Sequence, residues 1–364
     1  MSKINEELIK NSIKYSNLDG ISSREEEIVN AIKEDLQNID GLKFERDNLG
    51  SLAVIKKSKV ENAPTIAIYT HMDEVGFMIN HITPEGFIKF SPIGGWWGHV
   101  VLAQKLKITT SEGKEFIGVV GSTPPHLMNR EAMQKVLSID SMFIDLGLDK
   151  KEEVEALGIQ VGDMITPYQE TAFKSVNENR VIGKAHDNRI SVVAGINIMK
   201  QLAELELDTN FIFVGTTQEE VGLRGARTSA FKWTPDVAFA IDVTFCYATP
   251  GMKQSSTKLG SGPALSLFDS YTIANKKLMN LVEKVAKEAE VKYTYDSMTG
   301  GGTDAGAVQL AKDGVKAMTI SIPSRYMHSH NSMIDVHDVK EVSKLVVEFA
   351  KKFNKETLKG ISFH

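Results

Sequence analysis

The stretch TIAIYTHMDEVGF, residues 65–77, joins two different kinds of sequence pattern. Its first five residues are mostly apolar and rich in strand-forming residues, with little alternation between polar and apolar positions. Such a run is typical of a strand that is buried on both faces, as in a parallel sheet covered by helices. The pattern changes at Glu74, so we expect the chain to fold differently on the two sides of this position.

The segment after Glu74 contains short strand-like runs separated by turns with glycine or proline. The runs are GFMINHI, GFIKFSPI, KLKITT, EFIGVV, MFIDLG and GDMITP. One short helix is predicted among them, near DKKEEVEALG. Many short strands with little helix indicate a small β-barrel or a sandwich. We therefore expect residues 74–175 to form an inserted β-rich domain.

Outside this insert, helical patterns alternate with apolar strands. The segment GISSREEEIVNAIKEDLQNI, residues 20–39, predicts a helix with one apolar face and with Ser22 or Ser23 as its N-cap. Further along, the strand-like runs FIFVGTT, VAFAIDV and AMTISIP alternate with helical segments. This alternation predicts an α/β domain with a central mixed sheet between helices, formed by residues 1–73 and 176–364.

The composition narrows the class of protein. The 364 residues are 42% hydrophobic and 24% charged, which is typical of a globular protein. The formal net charge of -5 argues against nucleic-acid binding, and no apolar run approaches the roughly 18 residues of a membrane-spanning helix. The one cysteine, Cys246, excludes an intramolecular disulfide bond. Together with the charged start MSKINEELIK, it predicts a cytoplasmic location.

Acidic and histidine side chains follow the apolar strands of the predicted sheet. They are His71 and Asp73 after TIAIYT, Glu219 and Glu220 after FIFVGTTQ, Asp242 after VAFAI, His328 after AMTISIPSRYM, and Asp187 in KAHDNR. Ligands of open α/β sheets bind outside the carboxyl ends of the strands, so these side chains are expected to converge. Taken singly, such an acid is more often a helix cap or a solvated loop residue. Their coincidence in one chain favours a shared site.

This set of side chains fits two divalent metal ions. Imidazole and carboxylate ligands without cysteine suit zinc, cobalt or manganese. A single catalytic zinc needs three protein ligands, whereas the set offers five: His71, Asp187, Glu220, Asp242 and His328. If one carboxylate bridges, five residues give three ligands to each of two ions and leave positions for water. Hydrolases, including aminopeptidases, use this arrangement.

Several motifs resemble those of one enzyme family, in the same order along the chain. They are THMDEVGF, KAHDNR, TTQEEVGLRGA, AIDVT, GGGTDAGAVQLAKDGV and IPSRYMHSH. The family is that of the glutamyl and tetrahedral aminopeptidases, and the resemblance covers nearly the whole chain. It implies a fold of the phosphorylase/hydrolase-like, zinc-peptidase type, with the inserted barrel as a dimerisation domain. It also implies that N-terminal residues are hydrolysed from short peptides, and that dimers assemble into a tetrahedral homododecamer.

The resemblance also implies two metal ions per subunit, zinc or cobalt, with manganese as an alternative. Its implied metal ligands are two pairs and a bridge: His71 with Asp242, Glu220 with His328, and Asp187 between them. It further implies a cis peptide bond between Asp187 and Asn188. The family usually has a second aspartate where this chain has Asn188, which indicates a slightly altered environment for the bridging residue.

The resemblance assigns the remaining site residues to catalysis and substrate binding. Glu219 would be the general base acting on a metal-bridged water, and Asp73 would orient and polarise His71. Thr303 and Asp304, in GGGTDAG, would shape the substrate pocket. For these two residues, a helix that begins at Asp304 is an equally good interpretation of the sequence.

The substrate is less narrowly defined than the fold. The motifs KAHDNR and RYMHSH resemble the bacterial glutamyl aminopeptidases, which favour acidic N-terminal residues, and Lys258 or Arg325 would then receive the acidic side chain. A leucyl or broad specificity on the same fold is the first alternative. A glycoside hydrolase (glucanase) that uses Glu219 and Asp73 without metal is another. A metal-dependent binding protein without enzymatic activity is a third.

Overall fold

The computed structural model describes residues 2–252 and 255–363. Its helices are α1 (Lys3–Asn17), α2 (Glu26–Leu36), α3 (Arg130–Met133), α4 (Lys151–Ala156), α5 (His186–Ala203), α6 (Arg224–Trp233), α7 (Lys276–Glu288), α8 (Ala305–Val308), α9 (Val336–Lys352) and α10 (Lys355–Ile361). Its strands are β1 (Leu42–Arg46), β2 (Leu52–Lys56), β3 (Thr65–His71), β4 (Gly76–Ile82), β5 (Ile88–Ile93), β6 (Lys105–Thr109), β7 (Glu115–Gly121), β8 (Phe143–Asp145), β9 (Met164–Pro167), β10 (Phe173–Lys174), β11 (Arg180–Gly183), β12 (Asn210–Thr216), β13 (Val237–Phe245), β14 (Ala264–Phe268), β15 (Thr294–Ser297), β16 (Lys316–Arg325) and β17 (Ser332–Asp335). Within this part of the chain, no helix has the length and apolar character needed to cross a membrane.

The largest sheet is mixed, as predicted, and its parallel centre positions the site. Its strands are ordered β1-β2-β12-β3-β13-β16-β17-β11-β10, with β14 and β15 extending from β16. The four central strands β12, β3, β13 and β16 run parallel, and the strands flanking them are antiparallel. Nearly every residue of the central strands is buried, which agrees with their unbroken apolar sequences.

Each central strand contributes to an apolar core on both faces of the sheet, because successive side chains point to opposite sides. On β12, Phe211 and Phe213 belong to the core beneath α1, α2, α5, α7 and α9. Ile212 and Val214 belong to a second core, which includes α6 and α8 and is rich in alanine. The sheet therefore lies between two layers of helices, and the predicted α/β fold is confirmed.

The segment between β3 and β10 contains a closed antiparallel barrel with the strand order β4-β5-β8-β7-β6-β9. These strands correspond to the strand-like runs of the sequence, so the predicted barrel is also confirmed. Phe77 lies in its core, where its ring stacks on Trp96 with centroids 4.7 Å apart and meets Phe90 edge-on at 4.9 Å. Aromatic packing of this kind supplies a compact core to a small barrel.

The start of α2 differs from the sequence prediction. The helix begins at Glu26 and has Glu25 at its N-cap position, so the assignment of Ser22 or Ser23 as the cap is wrong. The Ser22 hydroxyl instead donates a hydrogen bond of 2.5 Å to the Asp73 carboxylate. A charged acceptor from another part of the fold forms a stronger hydrogen bond than the local cap would.

Candidate active site

The parallel centre of the sheet brings the predicted site residues to one edge. β3 ends at His71, and the loops that follow β12 and β16 carry Glu219 and His328. Asp242 lies within β13, as in the predicted strand VAFAIDV, and the strand continues two residues further to Phe245. Parallel strands place their carboxyl ends side by side, and this is why residues far apart in sequence meet.

Asp187 lies between the two histidines. Its Oδ1 is 3.2 Å from His71 Nε2, and its Oδ2 is 3.2 Å from His328 Nε2. Asp242 Oδ1 is 3.7 Å from the same nitrogen of His71, and Glu220 Oε1 is 3.5 Å from that of His328. The carboxylate of Asp187 is therefore shared by two clusters, each with one imidazole and one further acid.

The turn before α5 presents Asp187 to both clusters. Ala185 has a left-handed backbone with φ of 55°, and Asp187 and Asn188 have non-helical dihedral angles at the beginning of α5. The peptide bond between Asp187 and Asn188 is cis, as the family resemblance implied. The Asn188 side chain donates a hydrogen bond of 2.9 Å to the backbone oxygen of Ile241, the residue before Asp242. The turn is thus fixed to β13 next to another site residue.

Glu219 lies on the His71 side of the site. Its Oε2 is 3.8 Å from His71 Nε2, almost the same as the distance from Asp242 to that nitrogen. Two groups of side chains have ligand atoms within 4.8 Å of one another. One group is His71, Glu219 and Asp242, and the other is His71, Asp187 and Glu220. Distance alone therefore does not separate a metal ligand from a general base at Glu219. Removal of the Glu219 charge separates the two roles. A metal ligand would lose its ion, whereas a general base would leave the ion bound.

The acids of the site are held in a poorly solvated environment. Burial raises the pKa of Glu220 to about 8, and it also raises the pKa of Asp242 and, by more, that of Glu219. Burial alone would lower the pKa of His328, but the Asp187 hydrogen bond and the Glu220 charge outweigh it and raise that pKa to about 10. The pKa of Asp187 is lowered despite its burial, because both histidines hydrogen-bond to it.

The donor set fits divalent metal ions. Within the residues that the structure describes, Glu220 Oε1 is a buried oxygen without a hydrogen-bond partner. Several buried carboxylates and two imidazoles converge on one volume, which is unfavourable unless a cation compensates the negative charge. Nitrogen and oxygen donors without sulfur match the preferences of zinc, cobalt and manganese.

Backbone carbonyl groups orient both imidazoles. His71 Nδ1 is 3.0 Å from the backbone oxygen of Asp73, and His328 Nδ1 is 2.8 Å from the backbone oxygen of Gly95. A protonated Nδ1 that donates to these oxygens leaves Nε2 as the free nitrogen facing the acids. The ring orientation needed for metal binding is therefore built into the main chain.

The Asp73 carboxylate contacts the backbone of the two glutamates more closely than it contacts His71. Its Oδ1 accepts the Glu219 amide at 3.0 Å and its Oδ2 accepts the Glu220 amide at 3.2 Å. The distance from Oδ1 to His71 Nδ1 is 3.6 Å. Asp73 thus joins the loop after β3 to the loop after β12, and so connects both clusters of the site.

The barrel also contributes to the site, which the sequence motifs did not indicate. The loop after β5 carries Gly94 and Gly95, and a Cβ at Gly94 would lie 3.2 Å from Glu220 Oε2. A Cβ at Gly95 would lie 3.2 Å from His328 Nδ1. Gly94 also has a φ of +82°, a conformation that favours glycine. The adjacent glycines in IGGWWGHV are the sequence signal of this close approach.

A buried ion-pair network supports the residues on either side of Asp187. Lys184 Nζ lies 2.6 Å from Glu74 and 3.0 Å from Asp19, and Arg189 Nη2 lies 3.4 Å from Glu74. Arg189 Nε also donates to the backbone oxygen of Met72, which lies between His71 and Asp73, at 2.5 Å. Burial raises the pKa of Asp19, but Lys184 and Lys107 outweigh it and lower that pKa to about 2. The charges are paired, as buried charges must be.

A cavity of about 1310 Å³ opens onto the two clusters, and Thr303 lines it together with the preceding glycines. Asp304 is not among its lining residues, and only 2% of its surface is exposed. Thr216, the last residue of β12, donates a hydrogen bond of 2.5 Å to Asp304 Oδ2. Asp304 therefore supports the strand that precedes Glu219. Thr303 borders the cavity but is only 3% exposed, and its hydroxyl shares a hydrogen bond of 2.7 Å with the Thr319 hydroxyl.

The basic residues of the cavity are not those named from the sequence. Arg227, Lys232 and Lys312 line its wall, whereas Lys258 and Arg325 are absent from the lining residues that the structure describes. Arg227 and Lys232 are carried by α6, and Lys312 follows α8 in the chain. Because α6 and α8 pack against each other on one face of the sheet, they bring these cations together.

Comparison with known proteins identifies the family. Residues 50–345 match the model of the M42 glutamyl aminopeptidases, and the chain belongs to this family. It is 37% identical over 322 residues to the glutamyl aminopeptidase of Lactococcus lactis subsp. cremoris (strain MG1363), covering 88% of this chain and 90% of the relative. It is 36% identical over 304 residues to the lysyl aminopeptidase of Pyrococcus furiosus, covering 82% of this chain and 84% of the relative.

Solved structures agree with this assignment. A TET aminopeptidase from a marine sediment Thaumarchaeota archaeon superposes with a TM-score of 0.94 at 33% identity, covering 99% of this chain and 100% of that one. The TET1 peptidase of Pyrococcus horikoshii, which can assemble into a tetrahedron or a large octahedral shell, has a TM-score of 0.84 at 32% identity, with coverages of 96% and 100%. The protein is therefore an aminopeptidase of the hydrolase class, from a family of metallopeptidases.

Proposed function

We propose that this aminopeptidase holds two divalent metal ions, zinc or cobalt with manganese as an alternative, at the two clusters that share Asp187. His71 and Asp242 would hold one ion, and Glu220 and His328 the other. The observation that carries this proposal is the position of Asp187, whose two oxygens each lie 3.2 Å from the Nε2 atom of a different histidine. A carboxylate with one oxygen facing each cluster is suited to bridging two ions.

The chemistry divides between the ions and the side chains. When bound, the ions acidify a water molecule and polarise the scissile carbonyl of the peptide. Glu219 then accepts a proton from the attacking water and delivers it to the leaving amine, as a general base and then a general acid. Asp73 fixes the backbone from which Glu219 projects.

The proposed preference is for acidic N-terminal residues, glutamate or aspartate. Arg227, Lys232 and Lys312 give the cavity wall a positive charge, and within the described chain Arg227 makes no side-chain hydrogen bond or ion pair. An unpaired guanidinium is well suited to binding a carboxylate in a bidentate manner. These cations also disfavour a lysine side chain. The apolar residues Phe231 and Leu310 of the same wall are the feature that favours leucyl or broad specificity instead.

A panel of chromogenic aminoacyl substrates tests the proposal. The metal-free enzyme and the enzyme supplied with zinc, cobalt or manganese are assayed with glutamyl, aspartyl, leucyl and lysyl derivatives. We expect no activity without metal and the highest kcat/KM for the acidic derivatives. Arg227→Gln should lower kcat/KM for the glutamyl derivative more than for the leucyl one, which serves as the internal control.

Two results would contradict the proposal in different ways. A leucyl preference would overturn the acidic specificity but not the mechanism. Hydrolysis that survives complete chelation would overturn the metal-dependent mechanism, and chelation-resistant cleavage of a β-glucan would support the glucanase instead. Binding of metal by a protein inactive on every peptide would support the non-enzymatic alternative.

We further propose that residues 74–175 form a dimerisation domain separate from the catalytic residues 1–73 and 176–364, and that dimers assemble into a tetrahedral homododecamer. The outer face of β7 carries Ile117 and Val119, which are 48% and 49% exposed in the single chain. Ile117 and Val119 lie two residues apart on the same face of the strand, and neighbouring apolar side chains exposed in this way are a candidate for a surface that a partner covers. The assembly of the related Pyrococcus horikoshii peptidase supports this proposal.

Light scattering tests the role of this surface. The double variant Ile117→Lys/Val119→Lys should lower the mass of the assembly, because two buried lysines would face each other or apolar groups. Val176→Lys, at a fully exposed residue outside the barrel strands, is the matched control and should keep the wild-type mass. An unchanged mass in the double variant would exclude β7 from the interface.

A further inference from the structure

The loop after β12, residues 217–220, is held by three consecutive backbone amides. The Gln218 amide donates to Glu25 Oε1 at 2.9 Å, the Glu219 amide to Asp73 Oδ1 at 3.0 Å, and the Glu220 amide to Asp73 Oδ2 at 3.2 Å. Gln218 has a left-handed backbone with φ of 55°. The chain therefore turns sharply just before the two glutamates of the site, and two carboxylates from other elements fix the turn.

The side chain of Glu25 holds this loop and does not cap its own helix. It occupies the N-cap position of α2, yet its side chain makes no capping hydrogen bond. Its Oε1 accepts the amides of Ser23, at 2.8 Å, and of Gln218, which is 193 residues away in sequence. Glutamate is not among the favoured N-cap residues, so helix capping does not account for an acid here.

The same turn before α2 also reaches the second carboxylate. The Ser22 hydroxyl donates to Asp73 Oδ2 at 2.5 Å, and this oxygen also accepts the Glu220 amide. Glu25 and Asp73 are both buried, with 5% and 0% of their surfaces exposed. A short segment near the N-terminal end of the chain thus supports all three amides, one directly and two through Asp73.

We infer that Glu25 is a positioning residue for the proposed general base Glu219. By accepting the Gln218 amide, it holds the left-handed turn that aims the Glu219 carboxylate at the His71 side of the site. The inference rests on the proposed role of Glu219. Without this acceptor, a buried amide loses its partner and the turn can relax. A displacement of about 1 Å at a reacting group can lower the rate about 100-fold.

Three substitutions separate geometry from charge. Glu25→Gln keeps a carbonyl oxygen at the same reach and should retain kcat to within about threefold. Glu25→Asp keeps the charge but is one methylene shorter, and Glu25→Ala has no acceptor. Both should lower kcat about 10- to 100-fold, with KM and bound metal close to those of the wild type. Aspartate is a favoured N-cap, so Glu25→Asp should leave α2 stable.

Hydrogen exchange provides a readout that does not depend on turnover. In Glu25→Asp and Glu25→Ala, the amides of residues 218–220 should exchange faster than in the wild type, both with and without metal. Glu26→Ala is the matched control, because within the described residues the only ion pair of the Glu26 side chain is the surface pair with Arg46. This variant should change neither kcat nor the exchange of the loop amides.

The outcomes distinguish this inference from the proposed function. Wild-type kcat in Glu25→Asp, or a Glu25→Gln variant as slow as Glu25→Ala, would overturn the positioning role, since charge and not reach would then matter. If Glu25→Ala does not fold, the kcat values of Glu25→Asp and Glu25→Gln still test the positioning role of Glu25. A wild-type enzyme that is inactive on every peptide would refute the proposed function, whereas unchanged amide exchange in Glu25→Asp would refute the inference.

Discussion

The adjacent acids Glu219 and Glu220 face different clusters. Glu219 lies 3.8 Å from His71 Nε2, and Glu220 lies 3.5 Å from His328 Nε2. Neither residue is on the strand itself, since β12 ends at Thr216 and the acids follow in a loop. Separation of two neighbouring acids therefore comes from a turn fixed by Asp73 and Glu25, and not from the alternation of an extended strand.

Replacement of Glu219 by glutamine tests the division of roles between the two acids. We expect Glu219→Gln to lower kcat by about 10²- to 10⁴-fold, because the amide cannot accept the proton of the attacking water. Its metal content, measured by elemental analysis after dialysis, should equal that of the wild type. Glu220→Gln is the contrasting variant and should bind less metal. Loss of metal from Glu219→Gln would make Glu219 a ligand.

Sequence and structure agree best on the convergence of the residues that are proposed to carry the chemistry. His71, Asp187 and His328 could be nominated because histidine and acid at several strand ends are unusual together. Glu25 could not be nominated as a support of the site, because an acid in the first turn of a helix has an adequate local explanation. Its real partner, Gln218, is fixed by the tertiary fold, and no local pattern encodes a contact across 193 residues.

At the scale of elements, the site combines parallel strands with loops in sparsely populated conformations. Ala185, Gln218 and His328 each have φ of 55°, and each belongs to one of the two clusters or lies two residues from a member. A left-handed conformation costs a residue other than glycine on the order of 1 kcal/mol or more, so the surrounding fold must hold it in place. The strands bring the loops together, and these turns aim the side chains.

The barrel loop offers a direct test of contact between the insert and the site. Gly94→Ala would place a Cβ 2.7 Å from Val75 Cγ1 and 3.2 Å from Glu220 Oε2. We expect the loop to shift and the metal affinity to fall about 10-fold, as when other groups that orient a ligand are changed. The affinity is measured by competition with a zinc chelator.

A matched glycine separates contact with the site from backbone strain. Gly113 lies in the barrel with φ of +79°, close to the +82° of Gly94, but a Cβ there would meet no atom within 4 Å. Gly113→Ala should therefore show the effect of backbone strain alone and keep the wild-type metal affinity. Equal affinities in the two variants would mean that the loop after β5 does not support the site.

At the scale of the whole molecule, buried charges join three parts of the chain. Lys184, just before α5, pairs with Glu74 at the start of the insert and with Asp19 near the N-terminal helices. Lys107, in the barrel strand β6, also pairs with Asp19. The sequence predicted the α/β part and the barrel from their periodicities, but not this connection. These charges lie 88 to 165 residues apart in the sequence, so no local pattern indicates their pairing, which is defined only by the fold.

The metal-free site should make stability depend on pH. In that state the pKa of Glu220 is raised by burial to about 8, whereas an unfolded chain ionises the same group near 4.3. The folded state then retains a proton that the unfolded state has lost, so stability falls as the pH rises from about 4 to 8. His328 acts in the same direction. Burial lowers its pKa, but Asp187 and Glu220 outweigh this effect and raise the pKa to about 10. The stability that protonated His328 contributes is therefore lost as the pH rises from 6.5 to about 10.

Metal binding should reverse this trend, because the ions need deprotonated ligands and bind more tightly as the pH rises. We therefore expect the difference in Tm between the zinc-loaded and chelated protein to be larger at pH 8 than at pH 5.5, by roughly 2–4 °C for each kcal/mol of added stability. Scanning calorimetry at the two pH values measures it. Asp187→Asn, which removes the charge of the shared carboxylate, is the control and should show a small difference at both. An equal gain in the wild type at both pH values would show that these buried acids do not bind the metal.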